Sequence, residues 1–152
     1  MRRPFALLLP FVAACAGRPS AAPAPAWLSG PLGEVAQASA PFCARLRDAL
    51  PATGDSLFLH TEVDRPAAIV TPGRPPSHPD RPGRAAVAFV VDTIGRPEPR
   101  SKRIIWASSS DVGKWALAMV DGIYTPAEWG GRPVRQCLVV PYAVDLSARL
   151  QD

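Results

Sequence analysis

The stretch "AVAFVVDTIGRPEP", residues 86–99, decides the fold of this 152-residue chain. Its first six residues are all apolar, so a β-strand here presents apolar side chains to both faces of its sheet. We therefore expect other parts of the chain to cover both faces. The next four residues end at Gly95, which lets the chain turn because glycine adopts a positive φ without steric cost. No phosphate-binding glycine pattern surrounds Gly95, so its expected role is a turn.

Regular elements follow this turn. A second β-rich run covers residues 102–106, and Ser110 or Asp111 is expected to cap a helix whose apolar residues recur at helical spacing as far as Ile123. In this interpretation Pro126 ends the helix, and a pair of glycines leads into a last strand at residues 134–144. The order strand, strand, helix, strand predicts an α+β fold with a small antiparallel three-stranded sheet and one helix packed on a face.

Two further elements are expected before this core. Proline suits the first turn of a helix, so Pro41 is expected to start one in "PFCARLRDAL", residues 41–50. Residues 55–64, "DSLFLHTEVD", alternate in hydropathy and predict an extra strand. The proline-rich residues 66–84 have no useful period and predict a loop. The core is thus extended by an N-terminal helix and an added strand.

The amino terminus has the pattern of an export signal. Arg2 and Arg3 precede an apolar run that ends "FVAAC" at Cys15, and this run is too short for a bilayer span, which needs about 20 apolar residues. The pattern resembles a bacterial lipoprotein signal, with residues 12–14 as the lipobox. That resemblance implies cleavage after residues 1–14 and acylation of Cys15. The alternative is an ordinary secretory peptide cleaved at an Ala-x-Ala-like site.

Residues 15–31 are rich in alanine and proline and are expected to form a tether between a membrane and the domain. In extended polyproline geometry, at ~3.1 Å per residue, such a segment reaches about 50 Å. The remaining residues, 32–152, are expected to form one domain.

With Cys15 lipidated, Cys43 and Cys137 remain as a pair in a chain that has left the cytoplasm, and they are disulfide candidates. Cys137 is out of phase with the apolar face of the last strand, so it faces away from the second helix. A first helix that covers the opposite face would bring Cys43 to it. Two free buried thiols are the alternative. No cysteine or histidine has a second such residue at ligand spacing, so we expect neither a metal nor a cofactor.

Three segments together resemble the carboxy-terminal domain of the TonB family over residues 62–144. They are "VAFVVDTIGRP", "YTPAEWGGRPV" and "LVVPYAV". The resemblance implies a last strand at the sheet edge that pairs with a short segment of an outer-membrane transporter. The expected binding edge is Val134, Arg135, Gln136, Cys137, Leu138, Val139 and Val140. The sequence departs from the family at Gly122, where the family often has tryptophan, and in having no recognisable transmembrane helix.

We therefore expect a non-enzymatic protein-binding module, held in the periplasm by its lipid, with the outer membrane favoured over the inner one because Ala16 follows the lipidated cysteine. Its arginines are scattered, so nucleic acid is not an expected partner, and a second copy of the chain is a further partner that the edge allows. The alternatives are a structural envelope lipoprotein, whose last strand is covered by residues 57–63, and an energy transducer with a short N-terminal anchor.

Lipidation gives the first testable prediction. Mass spectrometry of the mature chain should find an N-terminal peptide that begins at an acylated Cys15, and Cys15→Ser should abolish both the acylation and the recovery of the protein with membranes. Ser20→Ala, in the same tether, is the matched control and should change neither. A mature chain that retains Met1, or begins elsewhere, would contradict the prediction.

Overall fold

The computed structural model describes residue 23, residues 32–49 and residues 56–145. Cys15, the predicted signal peptide and, apart from Pro23, the predicted tether lie outside these residues. The helices and strands, numbered in chain order, are α1 Leu32–Ala49, β1 Leu57–Phe58, β2 Ala68–Thr71, β3 Gly83–Val91, β4 Arg103–Ala107, α2 Ser110–Met119, β5 Ile123–Thr125, β6 Ala127–Trp129 and β7 Arg132–Val144.

The strand predicted from the opening stretch lies at the centre of the fold. β3 pairs antiparallel with β7 in an unbroken register from Gly83↔Val144 to Val91↔Gln136, and it pairs antiparallel with β4 on its other side. Every residue from Ala85 to Val91 is buried. The prediction that both faces of this strand are covered is therefore confirmed.

Each face of β3 packs against one helix. Val112, Ala116 and Val120, from α2 and the residue that follows it, pack against Phe89 and the other odd-numbered side chains of β3. On the opposite face Cys43 and Leu46 of α1 pack with Val90 and Cys137. Because successive side chains of β3 point to opposite faces of the sheet, the core is divided into two clusters, one on each face.

The N-terminal helix begins earlier than predicted. α1 starts at Leu32, so Pro41 lies inside the helix rather than in its first turn. Proline gives up one helical hydrogen bond there. The packing of Cys43 and Leu46 on the sheet offsets that loss, and a disulfide joins Cys43 to Cys137 with a Cα–Cα separation of 5.7 Å.

The predicted α+β class is confirmed, but the predicted three-stranded sheet is too small. β7 lies inside a five-stranded sheet in which β6 and β1 both join the flank that faces away from β3. β6 reaches that flank through a tight hairpin at Gly130 and Gly131, both of which have positive φ. A separate ribbon of β2 and β5 uses part of the segment predicted to be a loop.

The turn after β3 is confirmed, whereas the limits of the second helix differ from those predicted. Gly95 has a φ of 83° and donates its N–H to the Asp92 carbonyl. The cap of α2 is Ser109, whose side chain accepts from the Val112 N–H at 3.3 Å, rather than Ser110 or Asp111. The helix ends at Met119, so Ile123 belongs to β5 instead.

Gly122 lies where the chain that follows α2 passes close to the end of β2. A Cβ atom on Gly122 would overlap the Thr71 carbonyl oxygen at the end of β2. The space that a side chain at this position would occupy is thus filled by the backbone of residues 71–73. The close approach of two backbones, which only glycine permits, lets the chain leave α2 and pair β5 with β2.

Gly122→Ala should therefore lower the free energy of unfolding by about 1–3 kcal/mol, because the added methyl group overpacks against backbone that cannot rotate away. Gly130→Asn is the matched control. A side chain there meets nothing within 4 Å, and asparagine tolerates the positive φ, so we expect little change. Denaturant unfolding measures both, and equal stabilities of the two variants would contradict the proposed contact.

Candidate functional site

The residues predicted to form the binding edge fall into two groups. Val134 pairs with Ala127 of β6, while Arg135 and Gln136 pair with Leu57 and Phe58 of β1. The prediction of a free edge is wrong for these three residues, because a hairpin partner and a parallel strand already occupy their flank.

Side-chain contacts hold this paired half of β7 in place. The Arg135 guanidinium donates to both carboxylate oxygens of Glu98, from Nε at 2.6 Å and from Nη2 at 2.9 Å. Gln136 is fully buried, and its Oε1 accepts from the Ala67 N–H at 2.8 Å. A bidentate ion pair and a buried amide on neighbouring residues fix the first half of β7 against two different loops.

The second half of β7 directs backbone groups away from β3. Val90 of β3 donates its N–H to the Ser101 hydroxyl at 2.8 Å and accepts from the Glu98 N–H at 2.9 Å, so both its backbone groups face the β4 side. Its partner on β7 is Cys137. In an antiparallel ladder such a pair turns its backbone groups outward, and alternate residues follow the same rule. Val139, Pro141 and Ala143 therefore also face the outer flank of β7.

Within the described ranges, no strand pairs with this outer flank beyond Gln136. β1 stops at Phe58, although the alternation of residues 55–64 predicts a longer strand, and His60–Glu62 form a 3₁₀ turn instead. Glu62 holds that turn: its carboxylate accepts from the Leu59 N–H at 2.7 Å, and it forms an ion pair with Arg47 at 3.6 Å. The competing local contacts of one glutamate thus end the strand and leave the flank open.

A cleft of about 490 Å³ lies along this open flank. Its floor is residues 137–140 together with Tyr142. One wall belongs to the α1 side of the sheet and the other to the α2 side. The first wall consists of Ala40, Cys43, Leu59, His60 and Thr61, and the second of Ala67, Ala68, Ile69 and Tyr124. A cleft of this volume lies within the range of ordinary binding sites.

Two tyrosines supply the phenol groups of the cleft. The Tyr124 hydroxyl donates to the Val120 carbonyl at 3.2 Å, and the buried Tyr142 hydroxyl interacts with Tyr124. Burial raises the pKa of Tyr142 above its ordinary value, and the neighbouring Tyr124 raises it further. Burial likewise raises the pKa of Tyr124. Both phenols are therefore protonated at neutral pH.

The opposite edge of the sheet is less suited to binding. β4 carries a bulge at Ile105, because the partners of Ala86 and Val87 are Trp106 and Ile104. At its start, the Arg103 guanidinium donates to the carbonyls of Arg100 and Lys102. A bulge and a charged residue are the features that protect edge strands from pairing.

The two serines before α2 both bond to the backbone. Ser109 caps α2, and the Ser108 hydroxyl accepts from the Arg84 N–H at 3.1 Å. Among the described residues, no group of three or more His, Cys, Asp or Glu side chains is placed to hold a metal ion. None of the described helices combines the length and hydropathy of a membrane span.

Most floor residues of the cleft lie in the binding edge predicted from the sequence, whereas its wall residues were not predicted to contribute to a binding site. Leu138, Val139 and Val140 lie in the predicted edge, whereas Tyr142 lies beyond it. Ala67, Ala68 and Ile69 come from a segment predicted to be a loop, and its run of apolar residues from Ala67 to Val70 was the available signal.

Comparison of the sequence with protein-family models found no match, and comparison with curated proteins found none.

The bridge between α1 and the floor of the cleft gives a further prediction. Alkylation of the unreduced protein should leave Cys43 and Cys137 unmodified, and both should react after reduction. The bridge closes a long loop, so replacing both cysteines by serine should lower the free energy of unfolding by about 2–5 kcal/mol. Cys15→Ser is the matched control for stability. Labelling of both residues without reductant would contradict the bridge.

Proposed function

We propose that this protein is a lipid-anchored periplasmic binding module of the TonB carboxy-terminal type. It engages a segment of an envelope or outer-membrane transporter protein by β-strand addition along residues 138–144. The lipid on Cys15 anchors the protein to the membrane, and residues 15–31 form the tether between the membrane and the domain. The binding residues of this proposal are shifted towards the end of β7 from those expected from the sequence.

The observation that carries the proposal is the outer flank of Val139, which faces the cleft and pairs with no strand among the described residues. Its N–H and C=O lie between apolar walls, where an unpaired backbone group costs free energy. An extended segment that enters the cleft pairs with these groups and removes that cost. Strand addition is the recognition mode in which backbone groups supply affinity in this way.

The chain order supports the TonB-type interpretation. β3, β4, α2 and β7 follow one another as strand, strand, helix and strand, which is the order that the resemblance implies. β1, β6 and the β2–β5 ribbon are additions to that order. The proposal is limited to partner binding and does not include proton-driven energy transduction.

A structural envelope lipoprotein is the second candidate, and one observation favours it. β1 and β6 already cover the flank of β7 from Arg132 to Gln136. A fold that shields half of its edge with its own strands has reduced its capacity for partners. The two candidates differ in whether the other half of the flank takes a partner strand.

Photo-crosslinking tests the difference. A photoreactive amino acid at the exposed Ala143 should crosslink the anchored protein to an envelope protein, and Val139→Pro in the same chain should abolish that product because it removes an outward N–H. Val139→Ala is the matched control: it shortens the side chain but keeps the N–H, so the product should persist.

The same probe at Ile105 on β4 controls for random contact and should give no such product. The thermal midpoint of each variant shows that it is folded. A product that survives Val139→Pro, or equal products from both edges, would rule out strand addition at β7. No product from Ala143 in cells would support the structural candidate.

A further inference from the structure

We propose that the bond between Cys43 and Cys137 is a redox switch for α1. The oxidised bond holds the helix on the sheet, and reduction releases the helix while the rest of the domain stays folded. The switch lies beyond the proposed partner binding and does not depend on it. It differs from a general loss of stability, because only one layer of the fold responds to reduction.

Few contacts other than the bond hold the described side chains of α1. Within residues 40–49, only Cys43 and Leu46 are buried, and Cys43 is half of the bond. The Arg47 guanidinium forms an ion pair with Glu62 at 3.6 Å, but the two side chains are 43% and 42% exposed. Such a solvated pair contributes little to docking. Apart from the bridged cysteine, Leu46 is therefore the one buried side chain that joins this part of the helix to the sheet.

The helix is also weak by itself. Pro41 lies inside it, where proline lacks the N–H of the helical ladder and its ring crowds the preceding turn. It divides the helix into residues 32–40 and 41–49, nine in each half. Isolated helices shorter than about 12–15 residues are marginal in water even when their residues favour the conformation. Without its attachment to the sheet, α1 therefore lacks the intrinsic stability to stay folded.

The opposite helix shows what docking without a bond requires. Val112, Ala116 and Val120, from α2 and the residue after it, are at most 1% exposed, and they belong to a cluster of nine buried residues. The cluster under α1 has five buried residues, and two of them are the bridged cysteines. Leu46 is the only other residue of α1 among the five. Apolar packing therefore holds α1 much less firmly than it holds α2.

The release of α1 breaks no pairing of the sheet. The strand pairings join residues 57–144 to one another, and among the described residues none of the backbone hydrogen bonds outside helices and strands involves α1. β3 keeps β4 and β7 as its neighbours, and α2 stays on its other face. The domain thus retains its larger cluster, which is the behaviour expected when one unit of a fold opens separately.

The face of β3 that α1 covers carries the smaller side chains. Successive side chains alternate, so Ala86 and Ala88 lie on the same face as Val90, whereas Phe89 and the other odd-numbered residues face α2. Exposure of two alanines and a valine to water costs less than exposure of the opposite face. The uncovered sheet therefore tolerates the loss of α1, although it would not tolerate the loss of α2.

A dithiol is the class of reductant that operates the switch. One of its thiolates attacks a sulfur of the bridge and forms a mixed disulfide, and the other cysteine leaves as a thiolate that takes up a proton. The second thiol of the reductant then displaces the remaining cysteine. The protein gains two electrons and two protons as two thiols, and the reductant leaves as a disulfide. In an oxidising compartment a disulfide oxidant reverses both steps and docks α1 again.

Hydrogen exchange read by mass spectrometry tests the switch on the full chain with Cys15→Ser, with and without dithiothreitol. Reduction should lower the protection factors of the α1 amides at residues 42–49 to about ten or less, while amides of β3 keep protection factors roughly a hundredfold higher than these. Protection that falls together in α1 and β3 would overturn the inference, because α1 would then open only with the whole domain. Unchanged protection of α1 after reduction would also overturn it.

The double variant Cys43→Ser, Cys137→Ser is the matched control for the reductant. Its α1 amides should exchange as fast as those of the reduced protein, and dithiothreitol should not change them. Slow exchange of α1 in this variant would overturn the switch, because the helix would then dock without the bond.

Pro41→Ala tests the weakness of the helix. It restores one helical N–H, so in the reduced protein it should raise the protection factors of the α1 amides about tenfold or more. In the same reduced protein Arg45→Ala, an exposed substitution that also favours a helix but replaces no proline, should change them about twofold at most. Equal protection in the two variants would overturn the role of Pro41 in the switch.

Discussion

The structure depends on one constraint: seven consecutive residues of β3, from Ala85 to Val91, have both faces buried. A single helix covers one face of a sheet, so this strand needs two covering layers. α2 provides one through Val112 and Ala116, and α1 provides the other through Cys43 and Leu46. The bridge from Cys43 to Cys137 ties the second layer to the strand that pairs with β3 along its whole length.

The cleft exists because β6 and β1, the two strands that pair with the outer flank of β7, both turn away from it. β6 pairs as far as Ala127, and the preceding chain turns away at Pro126 so that Tyr124 joins the α2 side of the core. β1 pairs as far as Phe58, and the chain then turns away at Leu59 on the α1 side. Because the two strands depart into opposite layers, a gap opens between them.

The central elements were predictable because their signals are local. The apolar run of β3, the glycine turns at Gly95 and Gly130 and the helical spacing before Met119 each depend on residues close in sequence. The limits of elements were less predictable. Ser109 rather than Ser110 caps α2, and residues 59–62 form a turn where their alternation indicates a strand, because Glu62 bonds locally to Leu59. Alternating hydropathy specifies which face of a strand is buried, but it does not specify which other strand pairs with it.

By itself the sequence determined an α+β protein with a strand apolar on both faces, a turn at Gly95 and two cysteines that are candidates for a disulfide. Only the tertiary structure decided that β7 is an interior strand over its first half and that, among the described residues, no strand pairs with the outer flank of its second half. The reason is physical: whether a backbone N–H such as that of Val139 is paired depends on strands distant in sequence. β1 lies 78 positions before its partners on β7. A local sequence pattern does not indicate which distant strand pairs with β7, or at which residue that strand turns away.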